Sequence, residues 1–204
     1  MKRILALTAA AFLWTSTATA QQTFEQTVAA AQAAVGDIAR YQEALQNPDP
    51  RFQYAMVQQM LKLPDPALQR IAKEHALFST NPVMREAAIK AIFDSGTLLR
   101  IQLAGTADAY PDFTDFVKSN GGFFQNKSGE FLMRVPAALG NDCWGKDNKC
   151  ILRQVGNTIQ FNRFSGYANE ANGTATLGND GIMRGAISMK RGKETIQMQI
   201  DLKQ

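Results

Sequence analysis

Residues Thr195 to Leu202 read Thr-Ile-Gln-Met-Gln-Ile-Asp-Leu, so Ile196, Met198, Ile200 and Leu202 alternate with Thr195, Gln197, Gln199 and Asp201. A period of two sends successive side chains to opposite faces of a strand, one buried and one wet. Just before it, Ile182 to Met189 carries Met183, Ile187 and Met189 on one side, and Lys190-Arg-Gly-Lys193 supplies the turn of a hairpin. Working back along the chain, strands are expected at Gly122 to Gln125, Glu130 to Val135, Cys150 to Val155, Asn157 to Phe164 and Gly173 to Leu177. Turn residues at Asn126-Lys-Ser-Gly129, Gly156-Asn157 and Gly178-Asn-Asp-Gly181 separate them. Strands so closely spaced predict an antiparallel β sandwich or small barrel.

The grammar changes near residue 105. Only two glycines lie between Gln21 and Gly105, together with five of the seven prolines, whereas twelve glycines follow from Thr106 onward. That shift predicts an α+β chain: a helical domain over 21–105, a helical bundle or short α-solenoid, followed by the antiparallel β domain over 106–204. The first helix is expected from Phe24 to Leu45, rich in Ala, Gln and Glu, and it stops at Asn47-Pro48. Asp49-Pro50, Asp65-Pro66 and Asn81-Pro82 then recur at a period of sixteen residues. Each pairs an N-cap residue with a proline at the first helical position, where the missing N–H costs nothing. Behind them Phe52, Leu68 and Met84 correspond, as do Ala55, Ile71 and Ala87, and Leu61, Leu77 and Phe93. Through Asn47-Pro-Asp-Pro-Arg51 and Asn81-Pro-Val-Met-Arg-Glu-Ala-Ala88 the segment 47–96 resembles HEAT or armadillo-like helical repeats. The resemblance implies a small solenoid whose groove contacts another protein. A bundle that only packs against the β region is the alternative.

At the N-terminus, Lys2 and Arg3 precede the apolar run Ile4 to Trp14 and the small residues Thr15 to Ala20. That order is a cleavable signal peptide over 1–20, and its run is too short for a hydrocarbon core that needs roughly 20 residues. No later stretch is apolar enough to span a bilayer. The mature chain is therefore expected in the periplasm or secreted. Removing Lys2 and Arg3 leaves 20 basic residues from the 22, against 18 acidic ones. So small an excess does not make the basic stripe of a nucleic-acid binder.

Cys143 and Cys150 are the only cysteines. In an oxidising compartment a closely spaced pair forms a disulfide, and Gly145 with Asp147-Asn148 lets the chain turn back. With a single histidine, His75, and no third cysteine, a metal centre lacks soft ligands. His75 has no nucleophile at a telling spacing, which speaks against Ser-His and Cys-His hydrolysis. No phosphate-binding or dinucleotide-binding glycine motif occurs, and no cofactor is implied.

Carboxylate chemistry survives this elimination, because glycoside hydrolysis needs only two placed acids. Asp108, Asp112, Asp115 and Glu130 lie near Tyr110, Phe113 and Phe116, although Asp112-Phe-Thr-Asp115 also reads as a helix start. Two features suit binding. Trp144, beside Lys146 in the cysteine loop, is either a presented aromatic or a cover for the core. Arg134, Arg153, Arg163 and Arg184 would form a basic patch for an anionic glycan, a lipid headgroup or an acidic protein if they shared one face. The first functional reading is an exported, non-catalytic binding or scaffold protein of the cell envelope that contacts another protein. A β-barrel ligand carrier or enzyme inhibitor is the second, and a carboxylate-dependent glycan hydrolase the third.

Overall fold

The computed structural model describes residues 23–105, 111–166, 169–189 and 195–203, without the side chains of 111, 112, 163–166, 169 and 170. The expected signal segment 1–20, Asp108, Tyr110 and the turn Lys190–Lys193 lie outside the described residues, as do the side chains of Asp112 and Arg163. The chain divides into two compact units after Ile38. Most of helix α1 (Phe24–Leu45) belongs to the first. A reciprocal cap starts it: Gln26 N–H donates to Thr23 Oγ1 at 3.3 Å and Thr23 N–H to Gln26 Oε1 at 3.1 Å.

In the second unit the sixteen-residue period becomes three helices, α2 (Pro50–Met60), α3 (Pro66–Leu77) and α4 (Pro82–Asp94). The Oδ1 atoms of Asp49, Asp65 and Asn81 accept from the N–H groups of Arg51, Ala67 and Val83 at 2.9, 2.8 and 3.0 Å. One turn on, Gln53 and Gln69 donate back to the carbonyls of Asn47 and Leu63 at 2.7 and 2.6 Å, bracing each entry turn. The third repeat has Arg85 at that position, and its guanidinium instead reaches Asn179 in the β region. Burial grows along the series. Phe52 is 41% exposed, Leu68 7% and Met84 0%, because later helices are covered on more sides. Ala55, Ile71 and Ala87 are not buried; Met60, Ala76 and Ile92 fill the helix interfaces instead.

His75 sits half-buried on α3, and burial holds its imidazole below the ordinary value of 6.5. A base depressed in the folded state binds fewer protons than it does unfolded. Stability therefore falls as pH drops below the unfolded value near 6.5. Urea midpoints measured at pH 7.5 and 5.5 should show this loss, and His75→Gln should remove part of it. An unchanged pH slope in the variant would exclude His75 as the source.

Among the described residues ten strands follow or flank these helices: β1 (Leu98–Ala104), β2 (Phe123–Gln125), β3 (Ser128–Arg134), β4 (Ala137–Gly140), β5 (Cys143–Lys146), β6 (Lys149–Val155), β7 (Thr158–Gly166), β8 (Asn169–Leu177), β9 (Ile182–Met189) and β10 (Thr195–Asp201). A fifth helix, α5 (Pro111–Ser119), lies between β1 and β2 in sequence. The strands make one antiparallel sheet in the order β2-β3-β1-β10-β9-β8-β7-β6-β5-β4. The α+β class and the single disulfide thus stand, but helix gives way to strand at Leu98, before residue 105. Glycine content marks turns, and β1 has no glycine. Strands β4 and β5 are the other two absent from the sequence reading.

Tight turns with both central residues in the left-handed region connect β2 to β3, β4 to β5 and β5 to β6. They are Asn126-Lys127 (φ 51° and 66°), Asn141-Asp142 (49° and 55°) and Asp147-Asn148 (52° and 58°). This geometry matches strand twist and favours Asn and Asp. One sheet face is apolar, with Leu99, Ile101 and Leu103 of β1 beside Phe131 and Met133 of β3 and Ile196, Met198 and Ile200 of β10. Helix α5 packs there against β2 and β3 and also touches β7, five places from β3 in the strand order. The sheet must curl to allow this. Phe113, Phe116 and Val117 of α5 are buried, and Phe116 meets Phe131 edge-on at 5.7 Å between centroids. Gly129 makes room: a Cβ there would lie 2.8 Å from Val117 Cγ2 and 3.0 Å from Phe124 Cδ2.

Candidate functional site

The opposite face of the sheet carries a cleft of about 400 Å³ at its β2 end. Its walls follow from strand register. Phe123 pairs with Glu130, Glu130 with Gln102, and Gln102 with Gln199, so one rung crosses β2, β3, β1 and β10. The next rung is Gln125, Ser128, Ala104 and Gln197. Ala104 has the shortest side chain of this rung, between Ser128 and Gln197, and it lines the depression. Phe123, on the edge strand and 60% exposed, stands at one side.

Glu130 is the only charged residue of the lining among the described residues, and both its oxygens are engaged. Oε1 lies 3.4 Å from Arg100 Nη1, and Gln102 Nε2 donates to Oε2 at 3.4 Å. The cleft therefore offers amide donors and acceptors, one hydroxyl, one aromatic and little net charge. Alternation places Glu130 on this face, whereas Gly129 and Phe131 point toward α5. Asp115 is exposed on α5, across the sheet from Glu130. Of the four acids named from sequence, the two whose side chains are described, Asp115 and Glu130, are thus on opposite faces and not brought together for two-carboxylate chemistry. Among the described residues no group of three His, Cys, Asp or Glu side chains could hold a metal ion.

The residues named from sequence have other places. Trp144 is fully buried on β5: its Nε1 donates to Asp94 Oδ1 at 2.9 Å, and its ring lies 5.1 Å from that of Phe93. Lys90 of α4 sits 5.5 Å over the indole and bridges Asp94 and Asp142 at 3.3 Å each. Trp144 is therefore the cover for the core, joining α4 to the sheet, and Lys146 at the strand end is exposed. Cys143 and Cys150 are bridged, with Cα atoms 5.6 Å apart.

Arg134, Arg153 and Arg184 do share the outer face, but they lie on β3, β6 and β9. Each step from β3 to β9 to β6 spans three strands, roughly 14 Å at the usual interstrand spacing. Arg134 donates to the Gly96 carbonyl at 3.2 Å, and Arg184 grips Asp180 through two bonds of 2.9 and 2.6 Å. That grip holds the Asp180 carboxyl well below the usual carboxylate range. The side chain of Arg163 lies outside the described residues.

Sequence reasoning put Gln197 and Gln199 on a wet face but missed Gln102, Phe123 and Ser128 as their neighbours. The alternation of Leu99, Ile101 and Leu103 was the available signal for β1. No helix among the described residues is long and apolar enough to cross a membrane. No family model, curated protein or solved structure matches the chain.

Proposed function

We propose that this chain is an exported, non-catalytic binding protein of the cell envelope, with its ligand site in the outer-face cleft between β2 and β10. The single observation that carries this reading is the convergence of neutral hydrogen-bonding side chains from four strands on one depression. Pockets with a few convergent polar groups on a rigid scaffold are the usual form of a binding site. On this reading residues 1–20 are a signal peptide, the sheet is an incomplete barrel plugged by α5, and the capped helices are a short HEAT-like stack that braces it.

Export is tested by the intact mass of protein recovered from the envelope fraction. The expected chain begins near Gln21 with Cys143 and Cys150 joined; an uncleaved cytoplasmic chain with two free thiols would overturn it. Reduction should then cost about 2.5 kcal/mol of unfolding free energy in urea, as expected for so short a loop. Ligand binding is tested by adding envelope extract fractions to isotopically labelled protein. Shifts should concentrate at Gln102, Gln197 and Gln199, and fractions that leave all three unmoved would argue against the cleft.

A protein partner at the helices is the second reading, favoured by α1. Phe24, Val28 and Val35 recur along it and are 82%, 37% and 66% exposed. Val28→Glu with Val35→Glu should abolish co-purification of such a partner and leave the cleft shifts unchanged.

A further inference from the structure

We infer that the cleft takes a neutral, polyhydroxylated chain, an uncharged glycan, laid across the strands rather than along them. The inference rests on the binding reading above and assigns the chemical class of the ligand.

Three features select that class. Among the described residues the cleft has no cationic lining residue, and the neighbouring Arg100 is paired with Glu130, so a phosphate, uronate or other anion finds no free partner charge there. Its one carboxylate already answers Arg100 and Gln102, so a cation gains little. The rest of the lining is a set of primary amides, each able to donate and accept, of which Gln102 already donates to Glu130, beside a hydroxyl and an exposed phenyl ring. Sugar hydroxyls need that mixture of donors and acceptors, and the apolar C–H face of a sugar ring packs on an aromatic.

Direction separates a glycan from a peptide. An extended peptide joins a sheet along its edge through backbone hydrogen bonds. Inside this sheet the backbone groups of β3, β1 and β10 are paired on both sides, so a ligand over them meets side chains only. The polar side chains also run perpendicular to the strands. Beyond Gln199 the rung continues through Arg184 on β9, Thr176 on β8 and Thr158 on β7. Arg184 is neutralised by Asp180, and the two threonine hydroxyls are bonded at 2.8 Å. From Phe123 to Thr158 the rung makes six strand steps, roughly 29 Å. A track that long suits a polymer better than a single sugar.

The test is calorimetric titration of the purified protein with linear neutral hexasaccharides of glucose and of N-acetylglucosamine. The matching disaccharides, a uronate hexasaccharide and an uncharged extended heptapeptide complete the set. We expect a neutral hexasaccharide to bind, its disaccharide to bind at least about tenfold more weakly, and Gln102→Ala with Gln199→Ala to cost about tenfold or more. Both glutamines are exposed, so the variant should keep its thermal midpoint, and Gln160→Ala outside the rung should bind as the parent does. The inference is overturned if no neutral oligosaccharide binds, if binding survives the double substitution, or if the uronate or the peptide alone moves the cleft. An envelope fraction that shifts Gln102 and Gln199 while every oligosaccharide fails would retain the binding site and remove the glycan.

Discussion

Trp144→Ala should lower the unfolding free energy by about 3–5 kcal/mol, the range for truncating a large buried aromatic. Trp144 is 0% exposed and stacks obliquely on Phe93, so its loss opens a void between α4 and β5 rather than a surface dent. Two companion variants divide the effect. Trp144→Phe keeps part of the packing and gives up the 2.9 Å bond to Asp94. Asp94→Ala instead strands a buried indole N–H, at about 1–3 kcal/mol. Because the Asp94 side chain is 41% exposed, water is close at hand and the lower end of that range is expected. Urea unfolding at constant m-value measures all three. A cost below about 1 kcal/mol for Trp144→Ala would mean that the indole is presented to a partner instead of buried.

Phe116→Ala is the second large effect, again about 3–5 kcal/mol. Phe116 is 1% exposed, on the helix that fills the curl of the sheet, edge-on to Phe131. This variant also separates two functional readings. A ligand carrier would hold an apolar guest on the inner face, where α5 lies. With Phe116 in place, the protein should leave an apolar fluorescent dye dark; after truncation the dye should enter the new cavity. Stoichiometric dye uptake by the unaltered protein would instead favour the carrier and place its site beneath α5.

Much of the local architecture was legible in the sequence. The three Asx-Pro steps specify helix starts chemically, since a side-chain acceptor and a ring that lacks an N–H both suit a first turn. The period of two in Thr195–Leu202 and the Asn-Lys and Asp-Asn turns are equally local, because they express the preferences of one strand or two residues. Strand β1 lies in the glycine-poor half of the chain, where scarce glycine signals few turns rather than helix, and only the alternation of Leu99, Ile101 and Leu103 marks it as a strand. Strand β4 offered no signal: all four of its residues are exposed, so no apolar alternation was needed there.

The candidate site was legible only in fragments. Gln197 and Gln199 could be assigned to a wet face from their own strand, but a wet face is not a cleft. The cleft requires β1 to insert between β10 and β3, which sets Gln102 beside Gln199 and Glu130 and drops Ala104 between Ser128 and Gln197. Those partners are about thirty and one hundred residues apart in the chain, and nothing within either strand encodes the other's register. Trp144 shows the same limit in reverse. Its neighbours Lys146 and Asp147 are polar and suggest presentation, yet Phe93 and Asp94, fifty residues earlier, cover it.

By itself, then, the sequence determined the elements: capped helices, alternating strands, tight turns and a cysteine pair close enough to join. These depend on interactions within a few residues, whose energies do not change with topology. Tertiary structure alone decided which strands became neighbours, that α5 would fill the curl, and which polar side chains would converge on the outer face. Those outcomes follow from how apolar faces find each other across long stretches of chain, and the outer-face cleft is what their packing leaves on the other side.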